Sequence, residues 1–343
     1  MKILFSGDWH IGLTSHSRIL DGQNTRVVEM RQAIKSLVET AEKEQVRTVV
    51  QCGDIFHRSR PTNDDIRLAL EAVETLIANN IDVIILDGNH DAPAQTGLTS
   101  PVELLRHAGA TVYVGGEMGV MNVGPVGLYL TPYPRSFTDW GAVVLAGDIN
   151  IMVGHTTLEG AVTGYEKFLL SRACHVEPHP ELPTVCGHIH TPQILRKPED
   201  NFVGYTGSLI QNDFGERDQK KGFLIFDADD SSWVFHRTAH HDLAQHSLDD
   251  FDNLDEEAVS GKIIKITGVV EESIDTIEMQ RHLYSLGALY AAVDIKVRQF
   301  AAARDERMLA SSGLNVLFEC YCEIESVSQN AKSIGMEIIE TVS

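Results

Sequence analysis

The sequence predicts an α/β protein with a largely parallel, helix-covered sheet, further strands behind it and a small α+β piece at the C-terminal end. Three observations predict it. Apolar, β-branched runs alternate with segments of helical periodicity through the first third of the chain. Several of those runs end in Gly followed by Asp, Asn or His, the mark of strands closing in tight turns. After an acidic stretch the pattern restarts as strand, helix, strand.

Taken in order, Lys2–Ser6 reads as a strand. Thr25–Gln45 carries Val27, Val28, Met30, Ile34, Leu37, Val38 and Ala41 at helical spacing. Val46–Cys52 is a strand. Thr62 or Asn63 caps a helix that runs to Asn79 or Asn80, with Asp64 and Asp65 favourable in its first turn. Ile81–Leu86 is a strand. Thr99 or Ser100 caps a further helix, with Pro101 in its first turn and Gly109 past its end. The middle is strand-rich: Thr111–Val114, Val126–Thr131, Ile149–Val153, Thr184–Cys186, Phe202–Tyr205, Gly222–Phe226 and Trp233–Arg237. Two layers of sheet covered by helices would accommodate these strands. The boundary falls in the polar, acidic stretch near His240–Ser260. Beyond it come a strand at Lys262–Val270, a helix at Ser273–Leu286, a strand at Ala291–Arg298 and a helical tail from Gly313 to Val342. The expected division is 1–240, 241–300 and 301–343.

Bulk properties narrow the function. The 343 residues suit two domains, or one large domain with an appendage, and 43% hydrophobic content supplies a core. No apolar run reaches the ~18 residues of a membrane span. Five cysteines with no C-x-x-C fit reduced thiols, and a candidate ligand at residue 8 leaves no room for a cleaved leader, so a cytoplasmic protein is expected. The net charge of −21 argues against autonomous nucleic-acid binding, because phosphate contacts need cationic surface. The acidity is uneven: residues 242–343 hold 19 Asp and Glu against 8 Lys and Arg.

Five clusters carry the chemistry: Gly7-Asp8-Trp9-His10, Gly53-Asp54-Ile55-Phe56-His57, Gly88-Asn89-His90-Asp91, Gly154-His155 and Gly187-His188-Ile189-His190. Any one alone is an ordinary turn. Together they place six of fifteen histidines at strand ends, where an open α/β sheet builds its site. Mixed imidazole and carboxylate ligands suit Mn, Fe, Zn or Ni better than Mg or Ca. A carboxylate can bridge two cations, a role that fits Asp54. Two dications against Asp8 and Asp54 leave a site of about +2, which attracts a phosphodiester and acidifies bound water.

In this order the motifs resemble the calcineurin-like metallophosphoesterase superfamily. Within it, Gly53-Asp54-Ile55-Phe56-His57-Arg58-Ser59-Arg60-Pro61 resembles the second motif of the SbcD-type DNA repair nucleases, a family that includes the meiotic recombination nuclease. Tyr205-Thr206-Gly207-Ser208, Asp213-Phe214-Gly215-Glu216 and Lys220-Lys221-Gly222-Phe223 resemble the same family's segment after the last metal motif. The resemblance implies a four-layer α/β/β/α sandwich with a small cap. It also implies a Mn-dependent exonuclease and endonuclease for DNA ends and hairpins in recombination, repair or replication. The first metal would take Asp8, His10, Asp54 and His190; the second, Asp54, Asn89, His155 and His188. His90 would contact the scissile phosphate, and His57 would orient His90 or contact the phosphate. The family implies an SbcC-type SMC/ABC ATPase partner, docked by a helical element that Asn315-Val316-Leu317-Phe318-Glu319 resembles, and a homodimer built from two helices. In this chain Leu68, Val73, Leu76, Leu104 and Leu105 would supply that dimer surface.

Lesser candidates are His16 and Arg18 beside the first motif, Arg58 and Arg60 for phosphate, and Asp91 as a brace for an imidazole or a helix cap. His236, His240, His241, His246 and His282 read as structural or surface residues. Two rivals stand beside the nuclease: a phosphoesterase for small molecules or proteins, and a non-catalytic scaffold, which would have no need for the full ligand set.

Overall fold

The computed structural model describes the chain except residues 94, 96, 116–117, 134–145, 165–167, 170–176, 198, 200, 299–312, 325–326 and 343. It divides into two units, Met1–Gly268 with Asp275–Ile295, and Val269–Ile274 with Lys296–Ser343.

In the first unit, β1 (Lys2–Ser6), α1 (Thr25–Lys43), β2 (Val46–Gln51), α2 (Asn63–Ala78), β3 (Asp82–Leu86) and β4 (Thr111–Tyr113) alternate as the pattern predicts. Next come β5 (Gly119–Val123), β6 (Val126–Thr131), β7 (Ile149–His155), β8 (Thr184–Gly187), β9 (Gln193–Arg196) and β10 (Val203–Tyr205). β11 (Gly222–Asp227) and β12 (Ser232–Arg237) then return to the first sheet, whose order is β12-β11-β1-β2-β3-β4. The second sheet runs β9-β10-β8-β7-β6-β5. Both have parallel centres: β1–β2, β2–β3 and β3–β4 in one, β6–β7, β7–β8 and β8–β10 in the other. The carboxyl ends of the central strands therefore gather at one edge of each sheet.

Strand periodicity explains the layers. Leu4, Val49, Val83 and Ile85 point to one side of the first sheet, where Ala33, Ile34 and Leu37 of α1 and Ala69, Val73 and Leu76 of α2 cover them. Ile3, Phe5, Val50, Ile84 and Leu86 point to the other side and meet Leu128, Leu130, Ile151, Val153 and Val185 of the second sheet. Each fully buried Leu or Ile stabilises this sandwich by about 1.5–3 kcal/mol relative to exposure. On the second sheet's far face, Tyr129, Met152, Cys186 and Tyr205 pack with Leu158, Ala161 and Ile189.

Several local features differ from expectation. The segment Pro101–Ala108 is a 3-10 helix. Its start and stop signals hold, with Pro at its first turn and Gly109 left-handed at φ 99°, but the Ser100 hydroxyl donates to the Asp91 carbonyl and leaves the helix end uncapped. The face expected to dimerise is core: Leu68, Val73, Leu76 and Leu105 are buried among α1, α2 and the 3-10 turn, and of that set only Leu104 is exposed.

Within the polar boundary stretch, Leu243–Ser247 forms β13, parallel to β14 (Ile263–Val270). Only Leu243 of β13 is buried, so pairing with β14 creates the strand and hydrophobic alternation does not announce it. α3 (Thr276–Ser285) and β15 (Tyr290–Val297) complete a three-stranded sheet in the order β13-β14-β15.

The second unit contains α4 (Leu314–Ile324) and α5 (Gln329–Val342), two helices where one helical tail was expected. Ser328 starts the second: its hydroxyl accepts from the Ala331 N–H at 3.4 Å. Gly335 lies against the Phe318 ring so closely that a Cβ would overlap it, so Phe318 is an internal contact of the helix pair. No helix among the described residues is long and apolar enough to cross a membrane.

Candidate metal centre

The five clusters meet where the two sheets bring their strand ends together. After β1 and β2 the chains run side by side: Asp8 N donates to Gly53 O at 3.0 Å, His10 N to Asp54 O at 3.1 Å and Ile11 N to Ile55 O at 2.8 Å. These turns are tight. Asp8, His10, Asp54 and His188 all adopt left-handed backbone, at φ 52°, 48°, 56° and 88°. Non-glycine residues there cost roughly 1–3 kcal/mol each, and such strain clusters at functional sites. The glycines preceding the ligands have a packing reason. A Cβ on Gly53 would overlap the His155 ring, and one on Gly88 would overlap the Asp54 carboxylate.

Asp54 stands in the middle. Its Oδ1 accepts from His90 N at 2.9 Å and lies 3.5 Å from His155 Nε2, while its Oδ2 lies 3.8 Å from His10 Nε2. The two oxygens thus face different imidazoles. On the His10 side, His10 Nε2 and His190 Nε2 are 2.8 Å apart. Ligand atoms of Asp8, His10, Asp54 and His190 all lie within 4.8 Å of one another. On the other side, Asn89 Oδ1 is 3.0 Å from His155 Nε2 and 2.8 Å from His188 Nδ1. The Asp8 carboxylate accepts from His188 N at 3.0 Å, tying the two sides together.

Hydrogen bonds behind the rings set their tautomers. His155 Nδ1–H donates to Cys52 O at 2.8 Å, and His190 Nδ1–H to Glu216 Oε1 at 2.7 Å. Each ring therefore turns Nε2 inward. Burial draws the His155 pKa down, but the Asp54 carboxylate, helped by Asp8, more than reverses this and lifts it to about 9. Burial likewise lowers the His190 pKa, and the Glu216 carboxylate more than reverses this and raises it. Burial holds His10 neutral, and it holds His188 down at about 3, aided by His155. Asp54 stays ionised against burial because His155 and His10 face it.

His190 Nε2 thus meets His10 Nε2 at one position, and His155 Nε2 meets the oxygens of Asn89 and Asp54 at the other. These are the two positions where donor atoms converge closely enough for a cation. His10 Nδ1 is buried without a hydrogen-bond partner, which fits a ring placed for what lies at its other nitrogen. The donor set, imidazole with carboxylate and one amide oxygen, fits divalent transition metals.

Asp8, His10, Asp54, Asn89, His155, His188 and His190 are accordingly brought together. His90 is beside them, its ring centroid 4.7 Å from that of His10. His90 Nδ1–H donates to the His57 main-chain carbonyl at 2.9 Å, and the two rings stack with centroids 5.6 Å apart. The orienting atom of His57 is thus its backbone oxygen. Burial, with His90 and Arg58 nearby, lowers the His57 pKa.

Other candidates lie elsewhere. His16 packs edge-on against Phe214, and the Arg18 guanidinium sits 4.4 Å over the Tyr284 ring, so both are spent on packing. Asp91 braces no imidazole. Its carboxylate, fully buried, accepts from Ile55 N at 3.2 Å, Phe56 N at 2.9 Å and Gly88 N at 3.0 Å. Arg58 and Arg60 line a cavity of about 580 Å³ with Gly12, Asn24 and Arg31, next to the His57 segment.

Sequence reasoning missed three supports. Glu216 and Lys221 stand behind His190. The Tyr133 ring flanks His155 and His188 at centroid distances of 6.1 and 6.3 Å. Glu216 and Lys221 lie in quoted motif segments, but only the fold shows what they face; nothing local marks Tyr133.

Residues 1–192 match the family described as Calcineurin-like phosphoesterase. Among curated proteins, the chain is 28% identical over 257 residues to the SbcD subunit of the nuclease SbcCD from Staphylococcus saprophyticus, covering 66% of this chain and 65% of that one. The protein of the same name from Staphylococcus epidermidis is 25% identical over 259 residues, covering 67% of each. The chain thus spans about two-thirds of the length of these relatives. A dimetal phosphatase from Danio rerio aligns at a TM-score of 0.39 with 12% identity, over 66% of this chain and 91% of its own.

Proposed function

The chain belongs to the calcineurin-like phosphoesterase family, and from that premise we propose that it is the nuclease subunit of a DNA-processing complex, cutting phosphodiesters at DNA ends and hairpins with two Mn²⁺ ions. The observation that carries this reading is Asp54, whose two oxygens face His155 at 3.5 Å and His10 at 3.8 Å from the middle of the donor set. The relatives named as nuclease subunits support a nucleic acid as the substrate.

Asp8, His10, Asp54 and His190 would hold one cation, and Asp54, Asn89, His155 and His188 the other. Bound there, the pair would supply Lewis acidity to the phosphodiester and a nucleophilic water at neutral pH. His90 has its Nδ1–H fixed on the His57 carbonyl, so its Nε2 can hold the proton that the leaving oxygen takes. Stacked on it, the His57 ring limits its rotation. Mixed nitrogen and oxygen donors favour Mn²⁺ over Mg²⁺.

The rest of the chain supports a partner. At −21 it repels phosphate over most of its surface, so an SbcC-type ATPase with basic surface would present the DNA in the cytoplasm. Residues 1–240 would form the nuclease domain, 241–300 a cap and 301–343 the docking segment. Phe318 faces Gly335, so docking would use the exposed Leu314, Val316 and Tyr321. A homodimer would need a surface other than the buried leucines of α2, and Leu98 and Leu104 are apolar side chains left exposed.

The test is cleavage of linear and hairpin DNA, with Mn²⁺ or Mg²⁺, with and without a co-encoded ATPase, beside a chromogenic phosphodiester. Mn²⁺-dependent DNA cleavage raised by the ATPase is expected. Hydrolysis of the chromogenic diester alone would replace the nuclease with a small-molecule phosphodiesterase.

A further inference from the structure

A buried ion pair, Glu216 with Lys221, stands directly behind one ring of the centre. Glu216 is 5% exposed and Lys221 fully buried. Glu216 Oε1 accepts from His190 Nδ1–H at 2.7 Å. Its Oε2 meets Lys221 Nζ at 2.7 Å and accepts from Asn212 N at 2.9 Å. Lys221 Nζ also donates to the His190 carbonyl at 2.8 Å and to Gln219 Oε1 at 3.0 Å. All three ammonium donors are used. His190 is therefore gripped twice, at its main chain by Lys221 and at its ring by the carboxylate that Lys221 holds.

The topology produces this. β11 pairs antiparallel with β1, Leu224 opposite Phe5, so the residue entering β11 arrives beside the end of β1 from which Asp8 projects. Glu216 ends a 3-10 turn, Phe214–Glu216, that Asp213 caps. Neither residue points into the centre. A buried charge pair costs desolvation and is seldom retained for stability alone. Here both charges converge on one residue, Lys221 at the His190 carbonyl and Glu216 at its ring. By contrast, His155 and His90 rest their Nδ1–H on neutral main-chain carbonyls. A carboxylate behind a ligating ring fixes its tautomer and raises its basicity, and its loss typically costs 10–100-fold in metal affinity.

We propose that Glu216 and Lys221 are positioning residues for the metal position of His190: they lock Nε2 inward and make that position the tighter of the two. This rests on reading Asp8, His10, Asp54 and His190 as ligands. The test is calorimetric titration of the metal-free full chain with Mn²⁺ alone, for the parent and for Glu216→Ala, Glu216→Gln and Lys221→Met, each checked for folding by circular dichroism.

Glu216→Ala is expected to weaken one of two binding events about 10–100-fold and to leave the other within a few-fold. Glu216→Gln, whose amide oxygen still accepts from Nδ1–H, should recover most of the loss; a role in stability alone gives no such split between positions. Folded Glu216→Ala binding two ions with parental affinities would overturn the proposal, as would equal weakening of both events. If Glu216→Ala or Lys221→Met fails to fold, the nearly isosteric Glu216→Gln decides: parental affinity at both events, or equal loss at both, overturns the proposal, and a smaller loss confined to one upholds it. A parent that binds no Mn²⁺ would remove the metal reading itself, which separates the two failures.

Discussion

Asp91 is the buried brace between two ligand-bearing loops, and its removal should be among the costliest single changes near the centre. Its carboxylate accepts three main-chain N–H groups, two from the loop after Asp54 and one from Gly88, just before Asn89. Asp91→Ala would strand all three in a site closed to water. At about 1–3 kcal/mol for each buried unsatisfied donor, less what is regained by no longer burying a carboxylate, the loss is roughly 3–6 kcal/mol. Asp91→Asn keeps the shape but turns one amide N–H₂ toward a main-chain donor, so about 1–3 kcal/mol is expected. Urea unfolding of the metal-free variants, compared by midpoint at constant slope, measures both. Metal titration should also show weaker binding where Asn89 and Asp54 contribute, because their loops are no longer tied. A loss below about 1 kcal/mol for Asp91→Ala would refute the reasoning, since one stranded donor alone should cost that much.

Other consequences are sharper for function. Asp54→Ala should abolish binding of both ions, whereas Asp8→Ala should weaken mainly one; calorimetry reporting unchanged stoichiometry in Asp54→Ala would count against a bridging carboxylate. His90→Ala should keep its metals and lose about 10²–10⁴ in turnover, as expected for a missing general acid, and loss of metal instead would make His90 a ligand. Replacing Arg58 and Arg60 together by Ala should lower the slope of log affinity for single-stranded DNA against log salt by about 1.4, or 0.7 per lost phosphate contact; an unchanged slope would place both arginines off the DNA path. Val316→Asp with Tyr321→Asp should abolish stimulation by the ATPase, and full stimulation of that variant would move the docking surface elsewhere on the chain.

The sequence displays the first sheet and its helices because each has one buried side. Ile34, Leu37, Val38 and Ala41 recur at helical spacing, Leu4 alternates with Ile3 and Phe5, and Thr62 with Asp65 forms a capping box. Elements held mainly by a neighbour's edge were not legible. β13 offers only Leu243 to the interior, and β5 alternates exposed residues with half-buried ones at the sheet's margin. At the break between α4 and α5 the local mark is Ser328, whose hydroxyl accepts from the Ala331 N–H, and it stands beside the equally polar Gln329 and Asn330. The leucines expected to form a dimer surface at α2 are core for a related reason. Leu68 and Val73 look alike whether they face a partner or α1, and only the tertiary structure shows that α1 covers them.

At the centre, the ligands were legible and their supports were not, and chemistry explains the asymmetry. A ligand must combine a donor side chain with a strand-end turn, and that combination is written locally as Gly followed by Asp, Asn or His. The supports need only one hydrogen-bonding atom at the right point in space. Cys52 and His57 use main-chain carbonyls, which no side-chain pattern can show. Glu216 lies 26 residues after the ring it holds. Yet these supports decide whether the strained turns at Asp8, His10, Asp54 and His188 hold their geometry without bound metal. Four left-handed residues cost several kcal/mol together. The three N–H bonds of Asp91 and the double grip on His190 are the local interactions of a size to offset that, and each joins segments distant in the chain. The centre therefore depends on contacts between segments far apart in the chain. A variant that loosens either support should lose metal affinity before it loses fold.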